Sequence, residues 1–242
     1  MRRLAVFVEG QTERVFADRL LMEMAGAKRL EIIQKRFHGG KRFPRISYLI
    51  GNPNETRSTN LNLDEDVQFQ ALLYDCGGEN RITSDIRDQY ESLEDAGYWG
   101  IIGIRDVRPN FSRRDVPKIY SGFDKAKPHG KVNVSLVLAI MEIEAWILAE
   151  HTHFARLSPK LTADRIAALL KFDPRTDDVE LRDVPSNDLL HIYGTININY
   201  DKSLSVLNRI FGKVDFSLYA DELKNRIANV KTLVDVVDEF FT

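Results

Sequence analysis

Four carboxylates in this chain stand where apolar runs stop. Glu9 follows Leu4-Ala5-Val6-Phe7-Val8, Asp106 follows Gly100-Ile101-Ile102-Gly103-Ile104-Arg105, and Glu142 and Glu144 follow the run from Val132 to Ile140. If the runs are strands of an open α/β sheet, these acids sit at the strand carboxyl ends, the edge where such sheets bind ligands. In a parallel sheet those tips share one edge, so acids about 100 residues apart can converge on a metal ion. Glu13 adds an acid in the first turn of the following helix, a place the helix dipole also favours. Hard oxygen donors, with no Cys cluster and no paired His at coordinating spacing, suit Mg²⁺ or Mn²⁺ better than zinc. His151 and His153 flank Thr152. At i and i+2 of a helix they point apart, and the expectation for both is a solvated helix end. Glu142 and Glu144 have the same spacing, so one can face the sheet edge while the other points elsewhere. Trp146 reads as core.

The elements that must position these acids alternate over the first half of the chain. A strand over 4–8 leads through Gly10, whose backbone can turn sharply, into an amphipathic helix from Thr12 to about Met24, with Val15, Phe16, Leu20 and Met24 on one face. Strands follow at 30–37 and 45–50, joined by a turn at Gly39-Gly40, and then a long polar loop over 51–64. A strand over 67–74 is broken by Asp75-Cys76-Gly77-Gly78. A helix from Thr83 or Ser84 to about Ala96, a strand over 100–105, a basic helix near 113–126 and a strand over 132–140 come next. The last strand runs into a helix over 142–150. From there the pattern is helical: 162–171, 185–193, 201–212, 215–227 and 230–241. The fold class is α/β, a mostly parallel sheet flanked by helices. The division expected is a core over 1–150 and a helical extension over 151–242 packed on it.

The composition describes a chain able to build a core, with 43% hydrophobic and 29% charged residues among 242. No apolar run approaches the roughly 18 residues of a membrane span, and Met1-Arg2-Arg3 leads straight into a strand, so the protein is expected to be cytoplasmic. The single cysteine, Cys76, excludes an intramolecular disulfide and a Cys-cluster metal site. The net charge of −2 hides an asymmetry: residues 1–131 hold 22 of the 34 Lys and Arg against 19 of the 36 acids, and residues 132–242 hold 12 against 17. Positive charge gathers in Lys28, Arg29, Lys35, Arg36, Lys41, Arg42 and Arg45, and again from Arg105 to Lys131. Such segments suit phosphate, although solvated surface is the usual alternative.

The stretch Val6-Phe7-Val8-Glu9-Gly10-Gln11-Thr12-Glu13, followed by a helix and later by Ile101-Ile102-Gly103-Ile104-Arg105-Asp106-Val107-Arg108-Pro109, resembles the TOPRIM domain of topoisomerases, primases and OLD-type (overcoming-lysogenization-defect) nucleases. The Glu-Gly-x-Thr-Glu form is most similar to the OLD nucleases and to small stand-alone TOPRIM proteins. The later Glu142-Ile143-Glu144-Ala145-Trp146 resembles a segment of a bacterial group of the stand-alone kind. The resemblance covers roughly residues 1–150, and more loosely the helical tail.

The resemblance implies Mg²⁺-dependent phosphodiester chemistry. Glu9 matches the glutamate of the first motif, Glu13 the helix glutamate of OLD-type sites, and Asp106 the first acid of an Asp-x-Asp pair. The second acid is replaced by Arg108, which weakens metal binding electrostatically but has the planar fork that suits phosphate oxygens. Glu142 or Glu144 is then the candidate for the lost ligand. The leading expectation is a nuclease acting on DNA or RNA, with Glu9 and Asp106 catalytic, Glu9, Glu13, Asp106, Glu142 and Glu144 as metal ligands, and Lys41, Arg42, Arg108, Arg113 and Arg114 on the nucleic-acid backbone. No Gly-x-x-x-x-Gly-Lys-Ser/Thr segment occurs, so the ATPase that accompanies OLD-like modules would be a separate protein, and a role in antiviral defence follows by the same resemblance. The alternatives are an inactive TOPRIM module that binds nucleic acid or a protein, and a small-molecule phosphotransfer enzyme.

Overall fold

The computed structural model describes residues 1–38, 41–42, 46–50 and 67–242. The loop expected over 51–64 and the turn at Gly39-Gly40 lie outside the described residues. The chain forms β1 (Arg2–Val8), α1 (Gln11–Ala25), β2 (Leu30–His38), β3 (Lys41–Arg42), β4 (Ile46–Ile50), β5 (Phe69–Asp75), α2 (Ile82–Asp95), β6 (Gly100–Asp106), α3 (Val116–Ala126) and β7 (Asn133–Ala139). The remainder is helical: α4 (Glu144–Ala149), α5 (Thr152–Leu157), α6 (Ala163–Leu170), α7 (Pro185–Gly194), α8 (Leu204–Phe211), α9 (Ser217–Asp221) and α10 (Ala228–Phe241).

Strands β2, β5, β1, β6 and β7 lie side by side in that order, all parallel and flanked by helices. The short β3 and β4 pair antiparallel with β2. β1, β6 and β7, the strands that lead to Glu9, Asp106 and Glu142, are therefore adjacent. β1 is central because its apolar run has no polar face to offer water: Leu4 to Val8 are all 0–1% exposed, the pattern of a parallel strand covered on both sides. Its register sets Val8 opposite Asp75 of β5 and Ile104 of β6. Gly103 in β6 is required by close approach, since a Cβ there would stand 2.8 Å from the Ile82 side chain and 3.2 Å from that of Ile86, both on α2.

Helix α1 departs from a simple amphipathic pattern. Thr12, Glu13, Arg14 and Asp18 are buried together with Val15, Phe16 and Leu20, whereas Met24 is half-buried. The polar residues are accommodated by a network: Arg14 Nη1 donates to Gln34 Oε1 (2.5 Å), and Gln34 Nε2 donates to Asp18 Oδ1 (3.2 Å). Buried polar groups of this kind need such partners.

The chain divides into two compact units, Met1–Arg105 with Pro117–Val137 and Asp235–Thr242, and Asp106–Val116 with Leu138–Val234. The units do not follow a boundary at residue 150. In the first, Phe240 and Phe241 pack edge-on against Phe69 at 5.4 and 5.1 Å between ring centres. In the second, Trp146, Phe154, Tyr193, Tyr219 and Phe211 form a buried aromatic core.

The helix expected over 142–150 is shorter and is followed by a second one. Met141 adopts a left-handed backbone (φ 66°), which delays α4, and the Asp106 carboxylate accepts the Ile143 N–H at its start (2.9 Å). At Glu150 the backbone leaves the helix, and the Glu150 carboxylate accepts the N–H groups of Thr152 and His153 (both 3.2 Å). A residue that ends one helix thus caps the next. The helix expected over 215–227 is likewise divided, into α9 and a 3₁₀ turn at Leu223–Asn225.

Candidate active site at the strand tips

In the first unit the strand order reverses beside β1. The chain leaves β1 toward β2 on one side, whereas β6 lies on the other side and leads on to β7. The switch point of the sheet therefore falls between β1 and β6, where ligand crevices form outside the carboxyl ends of the strands. Glu9 and Arg105 leave the two strands there and form an ion pair (Glu9 Oε1 to Arg105 Nε, 4.0 Å), with both side chains largely buried. The Glu13 carboxylate folds back over the turn: its Oε2 lies 3.5 Å from the place a Cβ on Gly10 would take. Glu9 and Glu13 are 9% and 6% exposed.

Asp75, at the tip of β5, is a third buried acid in this unit. Its Oδ1 accepts the Gly77 N–H (3.1 Å), and its Oδ2 is 3.9 Å from Arg14 Nε. Gly77 (φ 71°) and Gly78 (φ 152°) take backbone conformations open to glycine. Burial, with Asp85 and Asp75 adding negative charge, pushes the thiol of neighbouring Cys76 far up, which disfavours its thiolate.

The second unit holds the other expected residues. Beyond β6 the backbone continues to pair, Val107 N–H with Ala139 O and Arg108 N–H with Met141 O. Asp106 is 7% exposed and caps α4 as described. Glu142 accepts the Ser186 N–H at the start of α7 through Oε2 (2.8 Å), and its Oε1 is 3.6 Å from Arg108 Nε. A carboxylate there suits the positive end of the helix. Glu144 is fully buried, with Oε1 bound by the Tyr200 hydroxyl (3.0 Å) and by Lys202 Nζ (2.7 Å). The two glutamates thus point to different partners, in keeping with their spacing.

Arg108 and Arg113 both reach Asp183: Arg108 Nη1 donates to its carbonyl (3.1 Å) and Arg113 Nη1 to its carboxylate (2.7 Å). Arg113 also donates from Nε to the Glu180 carbonyl (2.5 Å). Arg114 is exposed beside it in a 3₁₀ turn over Arg113–Asp115. Lys41 and Arg42, in the first unit, form β3 opposite His38 and Phe37, and their side chains lie outside the described residues. Among the described residues no group of three or more His, Cys, Asp and Glu side chains is arranged to hold a metal ion.

Compared with family models, curated proteins and solved structures, the chain matches none.

One expectation is corrected outright. His153 is not at a solvated helix end but fully buried. Its Nδ1 faces Glu150 Oε2 (2.9 Å) and its Nε2 faces the Tyr193 hydroxyl (2.7 Å). Glu150 also accepts from the Thr152 hydroxyl and from Arg156 Nη2 (3.1 Å). The ring is buried because both its nitrogens are partnered, which removes the cost of taking them from water. Trp146 is core as expected, 0% exposed.

Of the residues at the strand tips, the sequence does not single out Asp75 as a site residue and places Arg105 only within a basic segment. The signal for Asp75 was present, since strand, acid, glycine and helix follow one another there as they do at Glu9.

Proposed function

We propose that the protein is a Mg²⁺- or Mn²⁺-dependent nuclease acting on the phosphodiester backbone of DNA or RNA. The observation that carries this reading is the pair of buried carboxylates, Glu9 and Glu13, set around Gly10 at the switch point of a parallel sheet. The donor set is one of hard oxygens, and Mg²⁺ keeps several of its waters and needs only one or two protein carboxylates. Glu9 and Glu13 would hold such an ion, with Asp75 near the same sheet edge in the same unit. When bound, the ion supplies Lewis acidity to a phosphate oxygen and lowers the pKa of a bound water. Arg105, paired with Glu9, offsets the negative charge an incoming phosphate would meet. The resemblance of Glu9 to Glu13 and of Ile101 to Pro109 to TOPRIM modules supports the same chemistry.

A binding module without catalysis is the second reading. It is favoured by Arg108, which stands where the resemblance calls for an acid and is engaged with Glu142 and Asp183. The two readings separate in a cleavage assay on single- and double-stranded DNA and RNA with Mg²⁺ and with Mn²⁺, alone and beside an ATPase partner, joined to Mn²⁺ binding followed by electron paramagnetic resonance. A nuclease cleaves at least one substrate and binds Mn²⁺ in a manner lost in Glu9→Gln. Failure to cleave any of them, with Mn²⁺ binding unaffected by Glu9→Gln, overturns the nuclease reading.

A further inference from the structure

We infer that Arg108 and Arg113 form a clamp for a nucleic-acid phosphate, and that in the free protein Asp183 occupies it as a stand-in for that phosphate. The inference rests on the proposed action on nucleic acid and concerns how substrate gains the second unit. Both guanidinium groups converge on this one residue, Arg113 on its carboxylate and Arg108 on its carbonyl. Both also keep donors in reserve. Arg113 Nη2 and Arg108 Nε are shielded from water, and neither has a hydrogen-bond partner among the described residues; the nearest acid to Arg108 Nε is Glu142 at 3.6 Å. A shielded donor without a partner is costly and calls for an acceptor. A single carboxylate oxygen leaves that demand unmet, whereas a phosphodiester brings two non-bridging oxygens that an arginine fork can take in parallel.

The hold on Asp183 is one that a phosphate can displace. Its side chain is 80% exposed, and exposed ion pairs contribute little. Arg113 holds the Asp183 carboxyl below the usual range, so the carboxylate stays charged and competes as an anion. Asp183 also ends an acidic stretch, with Asp173, Asp177, Asp178 and Glu180 before it and only Arg175 and Arg182 against them. Those two arginines are already committed, Arg175 to Asp164 and Asp173 and Arg182 to Asp188. The stretch therefore presents net negative charge beside the clamp. It occupies the arginines and repels a polyanion until enough phosphate contacts form elsewhere.

The test is equilibrium binding of fluorescein-labelled single-stranded and duplex DNA of about 20 nucleotides, read by fluorescence anisotropy in EDTA at about 50 and 200 mM salt. Asp183→Asn keeps the carbonyl contact and removes the competing charge. It is expected to tighten binding by about 3- to 10-fold at the lower salt and to steepen the salt dependence by about one phosphate contact. Arg113→Gln is expected to weaken binding and to cancel the gain from Asp183→Asn in the double variant, a non-additivity that a general charge effect would not give. Circular dichroism of each variant confirms that the fold is kept. Measurable binding that is the same in wild type and Asp183→Asn, or a gain that survives Arg113→Gln, overturns the clamp while leaving the nuclease reading in place. No binding by wild type or by Asp183→Asn at the lower salt also overturns the clamp, and the nuclease reading is then decided by the cleavage and Mn²⁺-binding assays alone.

Discussion

Two buried acids, Glu9 and Glu150, stand in contrasting surroundings. Glu150 in the second unit is held from all sides: the N–H groups of Thr152 and His153, the Thr152 hydroxyl, the His153 ring and Arg156 all meet its carboxylate. Glu9 in the first unit sits at a strand tip, with its arginine 4.0 Å away, beyond hydrogen-bond length. The first arrangement joins α5 to α7 through His153 and Tyr193 and leaves little for a ligand to do. The second sets a carboxylate against an arginine at a distance an added cation can alter. Burial alone does not mark an acid as structural or functional; its place in the fold, inside a helix junction or at the carboxyl edge of a sheet, does.

The largest effect that would break this contrast concerns activity. Glu9→Gln should lower metal-dependent cleavage by more than about 100-fold, beyond what outer-shell changes give, with thermal unfolding little changed. Asp106→Asn is a milder probe of folding, because its amide oxygen still accepts the Ile143 N–H, so any loss of cleavage reports on charge. Cleavage that survives Glu9→Gln removes Glu9 from the site. Glu150→Ala should act on the other side of the contrast, costing about 3 kcal/mol or more in urea unfolding, because it strands several buried donors. A cost under about 1 kcal/mol would mean that the second cluster is not structural.

Smaller effects sharpen the picture. Burial, with Asp178 close by, pushes the Glu180 carboxyl up to about 7, opposed by a bond to Asn229 and by Arg113. Its stabilising contribution is then fully present below the unfolded value near 4.5. It is lost as pH rises toward 7, because the unfolded state gives up its proton first. Glu180→Gln should therefore stabilise the protein relative to wild type above pH 7, by about 1–2 kcal/mol after allowance for solvent screening, and differential scanning calorimetry across pH 4 to 8 would show the two curves converging at the acid end. Tyr193→Phe removes one hydroxyl from His153 and should cost about 1 kcal/mol in the same assay, with cleavage unchanged.

Much of the fold could be read from the chain because it rests on local pattern. The apolar run Leu4–Val8 is long enough for one strand and too uniform for a surface one, and the glycines at 10, 77 and 78 mark where strands give way. The acid at the tip of β1 was legible for the same reason. In sequence Asp75 looks like part of a strand breaker, although its setting repeats that of Glu9. His153 could not be found by spacing, since its burial depends on Tyr193, 40 residues away. The partners of Arg108 and Arg113 were hidden in the same way: basic residues look solvent-bound in sequence until an acid from a distant segment, here Asp183, is folded onto them. The two units were also beyond local pattern, because each is assembled from separate stretches of chain.

That interleaving has a consequence for how the molecule is made. The first unit draws on residues 235–242, and Phe240 and Phe241 close over Phe69 while Phe240 stands beside Trp99, at 6.2 Å between ring centres. On the ribosome the central strands are synthesised early, yet the aromatic plug that covers this part of them emerges only after the whole second unit has been made. The nascent first unit must therefore wait with an apolar surface uncovered, a state open to aggregation and to chaperone capture. Its completion is a late, long-range step of the kind that slows folding.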